Sequence, residues 1–346
     1  MYRRVVDSVL AKYGLKYKEV YSAQKGYRNE SYPILLEDGV LVNLLFYKRE
    51  PSILDRIQRA DQVSEYTYNH HLPTRSRADR RTLRINAPRG EVYIQLYRYL
   101  PGKTIAWEAF TKKHIKLLGW AMSDLHYTLS PLLVRWNAEV TVYDEVSAHI
   151  KRMKKYWSDP MVIEAMAQKL HLEFESSVLM RLEKLIELCR TLPDQQVLHM
   201  DLVRGNVLFD TSSETDRWKM GTTALTGIID FEKTSYGHPL FDTARTIAFL
   251  LVDCQEKNPN EIYRFFLYSG YNKRGLAHIN MRQEFRGHSY ATLLEGLVRC
   301  FLVYDFYKFL RHTPYESLEQ NRHYVRTRDI LLGYAMVRYP LEPRGK

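Results

Sequence analysis

Three oxygen-bearing side chains set the chemistry this sequence can support. His199-Met200-Asp201-Leu202-Val203-Arg204-Gly205-Asn206 reads His-x-Asp-x-x-x-x-Asn, flanked by the apolar runs Val197-Leu198 and Val207-Leu208-Phe209. A second carboxylate, Asp230, follows Gly227-Ile228-Ile229 and precedes Phe231-Glu232. The polar stretch from Asp210 to Ala224 suits a hairpin loop, so the two apolar triplets are expected to pair antiparallel with Val207 opposite Ile229. That register sets Asn206 across from Asp230, with Cβ atoms about 4.5–5.5 Å apart, and lets an amide and a carboxylate oxygen share one hard cation. Mg²⁺ suits such a site, because it keeps water and phosphate oxygens in its remaining positions. Phosphoryl transfer needs that arrangement together with a carboxylate that takes the proton of the attacking hydroxyl, and Asp201 is the candidate base. Taken singly, Asp201 and Asn206 also suit Asx turns, and Asp230 a strand end.

The elements that must position these residues fall into two groups. Val5, Val6, Val9 and Leu10 keep helical spacing up to Gly14, a C-cap glycine. Strands are expected over 19–23, 31–36 and 40–47, the last two joined at Glu37-Asp38-Gly39. Ser52 is expected to cap a helix running to about His70. Leu83 to Ile85 and Val92 to Tyr99 read as a further hairpin, and Pro101-Gly102 ends the strand pattern. Helices are then expected over 111–129, 141–157, 173–192, 239–254, 260–270, 282–311 and 315–337. The fold class is α+β: a small antiparallel sheet lobe, residues 1–99, followed by a larger, mostly helical lobe, residues 100–346.

On His199 to Leu208, Gly227 to Glu232 and Ser235-Tyr236-Gly237-His238-Pro239-Leu240-Phe241-Asp242-Thr243-Ala244, the chain resembles the aminoglycoside phosphotransferase and choline kinase family of protein-kinase-like small-molecule kinases. Gly26 to Tyr32 is similar to that family's phosphate-facing turn, Tyr99-Leu100-Pro101-Gly102 to the hinge that holds adenine, and Gly119 with Leu125-His126 to the first long helix of its C-terminal lobe. The resemblance implies a bilobal protein-kinase-like fold with a nucleotide-binding N-lobe. It implies ATP and Mg²⁺ as cofactors, Asp201 as catalytic base, Asn206 and Asp230 as metal ligands, and Asp242 as a brace for the catalytic loop. Gly26, Asn29, Lys48, Tyr99 and Arg204 become the candidate nucleotide contacts. His199 and His126 are expected as packing residues, and Glu232 as a solvated one.

Three positions depart from the family pattern: Val203 and Arg204 stand inside the catalytic loop, and Asn43 occupies the strand position where kinase-like folds carry a phosphate-binding lysine. Lys48, at the strand's exit, is the nearest base, with Asp61 or Glu65 as its helical partner and Arg28 or Arg204 as alternative cations. Only four residues separate Asp230 from Ser235, which leaves no room for a long activation loop that docks peptides, so a small-molecule hydroxyl is the expected acceptor. A net charge of +11 favours a neutral or anionic acceptor over a polycation. The alternative, motivated by Asn43, is a catalytically silent kinase-like binding or scaffold protein.

Composition excludes several other classes. With 346 residues, 45% apolar and 26% charged, the chain is too apolar for disorder and long enough for two cores. Its longest apolar run, Ile247 to Val252, cannot span a bilayer, and the N-terminal residues form no secretory apolar region. The widely spaced Cys189, Cys254 and Cys300 suggest neither a disulfide framework nor a metal knuckle, so a cytoplasmic location is expected. Arg75, Arg77, Arg80, Arg81, Arg84 and Arg89 concentrate the positive charge. Without a nucleic-acid-binding motif they read as a solvated loop, and no nucleic acid or membrane partner is expected.

Overall fold

The computed structural model describes residues 3–25, 29–47, 49–87, 90–132, 140–211, 217–254, 256–274 and 279–339. Two compact units emerge: Met1–Thr104 with Gly205–Thr234, and Ile105–Arg204 with Ser235–Lys346.

The first unit opens with helix α1 (Val6–Tyr13), which stops at Gly14 in the left-handed conformation, φ 71°. Strands β1 (Tyr17–Val20), β2 (Gln24–Lys25), β3 (Glu30–Leu36) and β4 (Leu41–Phe46) follow, then helix α2 (Ile53–Asn69) and the hairpin β5 (Leu83–Ala87) and β6 (Gly90–Arg98). The sheet is antiparallel, ordered β1-β3-β4-β6-β5 with β2 beside β3. Strand alternation divides its side chains between two faces. Val42, Leu44, Phe46, Val92, Ile94 and Leu96 pack with Val9, Leu10 and Tyr13 of α1, whereas Leu45, Tyr47 and Tyr97 pack with Ile57 of α2. Ser52 is not the expected side-chain cap: it adopts φ 56° and makes no capping hydrogen bond. The unit is completed by the antiparallel strands Val207–Asp210, Thr223–Ile228 and Lys219–Met220.

The second unit holds α3 (Lys112–Leu129), α4 (Val142–Trp157), α5 (Pro160–Leu170), α6 (Ser177–Arg190), α7 (Leu240–Asp253), α8 (Pro259–Ile262), α9 (Tyr290–His312), α10 (Tyr315–Leu318) and α11 (Arg322–Gly333). Thr111 and Thr141 cap α3 and α4, as their position before the apolar periodicity predicts. The sequence reading missed α5, capped by Asp159 with Pro160 in its first turn. It also ran two helices too long: Glu284–Phe285 and His288–Ser289 pair as a short hairpin before α9, and Pro314 and Asn321 delimit α10 and α11. Among the described residues no helix is long and apolar enough to cross a membrane.

Candidate functional site

In the second unit, the short strand Gln196–Leu198 pairs with Ser235–Gly237 and delivers the chain into the loop that begins at His199. Asp242, in the first turn of α7, holds that loop. Its Oδ2 accepts the His199 N–H at 2.8 Å and its Oδ1 accepts the Met200 N–H at 3.0 Å. Met200 stands at φ 62°, a conformation that costs a residue with Cβ about 1 kcal/mol and persists because the surroundings impose it. The next residue is Asp201. Its backbone N–H donates to His199 Nδ1 at 3.2 Å, and Thr246 Oγ1 donates to the Leu202 carbonyl at 3.1 Å. Burial alone would raise the Asp242 carboxyl; His126, at 3.2 Å through Nε2, and the His199 contact outweigh that and hold it below the usual carboxylate value. His126 is in turn held by the Tyr271 hydroxyl at 2.7 Å, so it is the satisfied core histidine that the sequence suggested. Arg204 directs Nε toward Asp253 of α7 at 3.6 Å.

In the first unit, the hairpin forms with a register one residue away from the expected one. Val207 faces Ile228, not Ile229, and beyond a bulge at Thr226 the offset grows to two residues, with Phe209 facing Leu225. Asn206 therefore meets Ile229, whose N–H donates to the Asn206 carbonyl at 2.9 Å, and Asp230 lies one position further along at φ 64°. At the bulge, Thr226 Oγ1 donates to the Pro101 carbonyl at 2.7 Å, which turns the extra residue toward the 101–103 segment. Phe231 is fully buried and anchors the left-handed Asp230 from the following side.

Beside Asp230 lies a buried charge cluster that the sequence reading misassigned. Arg75, expected in a solvated loop, is 7% exposed, and Glu232, also expected in solvent, is 8% exposed. Arg75 Nη2 donates to Glu232 Oε1 at 3.0 Å, and its guanidinium lies 4.4 Å from the Tyr97 ring centroid. Tyr97 donates to Asp61 Oδ1 at 2.9 Å, Gln95 donates to Asp61 Oδ2 at 2.7 Å, and Tyr97 shares a hydrogen bond with Tyr47. Burial would raise the Glu232 carboxyl, but Arg75 outweighs it and holds the acid well below the usual range; Glu232 is also hydrogen-bonded to the Asp230 side chain. Removing one member of a pair this deeply buried costs roughly 3–5 kcal/mol, since the other charge stays behind. Arg77 is half-buried and joins Glu65 at 3.2 Å, while Arg80, Arg81 and Arg84 are exposed, as expected of a loop.

Asn29 opens onto β3 and Tyr99 follows β6, both half-buried in the first unit. Gly26 and Lys48, like Arg28, lie outside the described residues. Asp201 falls in the second unit; Asn206 and Asp230 fall in the first. Among the described residues no three His, Cys, Asp or Glu side chains are grouped to hold a metal ion.

A family model described as APH, phosphotransferase enzyme family, matches residues 24–277. No curated protein matches the sequence significantly. Solved structures do match in fold. An amicoumacin kinase, hAmiN, in complex with AMP-PNP, Ca²⁺ and Ami is 15% identical at a TM-score of 0.65, covering 97% of each chain. A microcompartment-associated aminopropanol kinase is 13% identical at 0.59, over 97% of this chain and all of that one. The macrolide 2'-phosphotransferase MphH from Brachybacterium faecium is 15% identical at 0.55, over 99% of this chain and all of that one. These likenesses give the fold as the kinase-like α+β fold, and the family match covers well over half of the sequence, including Asp201, Asn206, Asp230 and Asp242: the chain belongs to the phosphotransferase enzyme family.

Proposed function

We propose that the chain is an ATP- and Mg²⁺-dependent phosphotransferase that moves the γ-phosphate to a hydroxyl of a small molecule, with Asp201 as general base. The observation that carries this reading is the double hydrogen bond from His199 and Met200 to buried Asp242, which fixes the backbone immediately before Asp201. Asp201 takes the proton of the acceptor hydroxyl as the oxygen attacks, a contribution of about 10²–10⁴ in rate for a positioned base. Asn206 and Asp230 fit Mg²⁺: both offer hard oxygens, Asn206 is buried, and Asp230 stands in hydrogen-bond contact with a second acid, a pairing that a cation relieves. They would hold the ion, which supplies charge neutralisation at the phosphates. Residues 1–99 are proposed to bind the nucleotide, with Tyr99 at adenine and Gly26, Asn29 and Lys48 at the phosphates, and residues 100–346 to carry the catalytic loop, contribute Arg204 as a further phosphate contact and bind the acceptor. The proposal includes a cytoplasmic location, supported by the unpaired, buried Cys189, Cys254 and Cys300.

One observation favours the silent alternative. Asn43 Oδ1 is buried with no hydrogen-bond partner among the described residues, so the strand position offers the phosphates no cation. An ATP-turnover screen over anionic, neutral and cationic hydroxyl compounds, with and without Mg²⁺, decides between the readings. Metal-dependent turnover with at least one acceptor supports the enzyme, and ATP binding without turnover supports the scaffold.

A further inference from the structure

We propose that Arg75, in the loop after α2, is a positioning residue for Asp230; this rests on the phosphotransferase reading above. Arg75 grips the Asp230 segment on both sides. Its backbone N–H donates to the Ile228 carbonyl at 3.0 Å, the Ile228 N–H donates to the Pro73 carbonyl at 2.9 Å, and Thr74 pairs with Ile228 as a parallel bridge. Its guanidinium holds Glu232 at 3.0 Å, so the residues two before and two after Asp230 are tied to one arginine. Asp230 between them stands at φ 64°, and a left-handed residue needs such anchors on either side. The acid of α2 is present as well: Asp61 joins the cluster through the Tyr97 hydroxyl, whose ring lies against Arg75. Arginine suits this place better than lysine, because a planar guanidinium can stack on Tyr97 while its Nη2 reaches Glu232. The buried atoms Arg75 Nε and Glu232 Oε2 lack partners among the described residues, so the pair is not a closed structural unit.

The test is nucleotide affinity measured by calorimetry on the whole chain, with and without Mg²⁺, for wild type, Arg75→Met, Arg75→Lys and the double variant Arg75→Met/Glu232→Gln, alongside the thermal midpoint of each. Arg75→Met is expected to weaken Mg²⁺·ATP binding by roughly 10–100-fold while metal-free ATP binding stays within about threefold, and Arg75→Lys, which keeps the charge but not the planar stack, to recover only part of that loss. The double variant removes both buried charges, so its midpoint is expected to return toward wild type while its Mg²⁺·ATP affinity stays weak. A double variant that regains stability and metal-dependent affinity together would make the pair purely structural and overturn the proposal. Equal losses with and without metal would also overturn it, because they would place Arg75 on the phosphates. If the wild type binds ATP identically with and without Mg²⁺, the phosphotransferase reading itself fails, and Arg75 with it.

Discussion

Asp230 combines a carboxylate, a left-handed backbone and a neighbouring acid, and each has a separate cause: the hairpin sets its place, Phe231 and Arg75 hold its conformation, and Glu232 supplies the second charge. Replacing it with alanine is expected to weaken Mg²⁺·ATP binding at least tenfold, with metal-free ATP affinity nearly unchanged, in calorimetry with and without metal. Equal losses would remove Asp230 from metal binding. At this scale the sequence was legible where chemistry is compact. His199, Asp201 and Asn206 sit within eight residues, and Asp242 follows a Pro that opens a helix. Arg75 and Glu232 were not legible, because a pair 157 residues apart has no local signature and an arginine among five others reads as surface.

Gly102 shows how elements place the site. It stands at φ 105°, and a Cβ there would meet Thr226 Oγ1 and lie 3.0 Å from the Phe209 carbonyl, so Gly102→Ala presses against the bulge that sets the hairpin register. A loss of roughly 2 kcal/mol or more is expected in urea denaturation, and an unchanged midpoint would contradict the close approach. In the second unit, His238 precedes α7 and its Nδ1 accepts the Leu240 N–H at 3.2 Å, while Tyr143 lies behind its backbone and Tyr290 against its ring. Burial first, and the charge of His126 second, lower His238 from an ordinary 6.5 to about 4. The unfolded chain then binds the proton first. The stability this group allows is complete above pH 6.5 and falls as the pH drops toward 4, by up to about 3 kcal/mol in all. His238→Asn, which keeps an acceptor for Leu240, is expected to flatten the urea midpoint between pH 7.5 and 4.5; a slope identical to wild type would contradict it. Helix and strand identities were legible from periodicity, as in β4 and α3. The Thr226 bulge and the breaks around α10 were not, because they follow from a side-chain hydrogen bond to Pro101 and from the turn at Asn321 rather than from hydrophobic spacing.

For the whole molecule, a strand-rich stretch followed by a run of helices was enough to place it in the α+β class, and the resemblance on Asp201, Asn206 and Asp230 named the family that the model match over residues 24–277 shows. The identity of the acceptor was not legible. The +11 charge acts on any charged ligand at long range, but it is screened over about 8 Å at physiological salt, so it disfavours polycations without choosing among other hydroxyl compounds. The most direct test of the central claim is ATP turnover by wild type and Asp201→Asn across such a panel, with ATP affinity measured on both proteins. The account predicts Mg²⁺-dependent turnover by wild type, a fall of roughly 10²–10⁴-fold in Asp201→Asn, and ATP affinity in the variant within about an order of magnitude of wild type, since a base acts in the transition state. Turnover retained by Asp201→Asn, or a wild type that binds ATP and phosphorylates no acceptor, would contradict it.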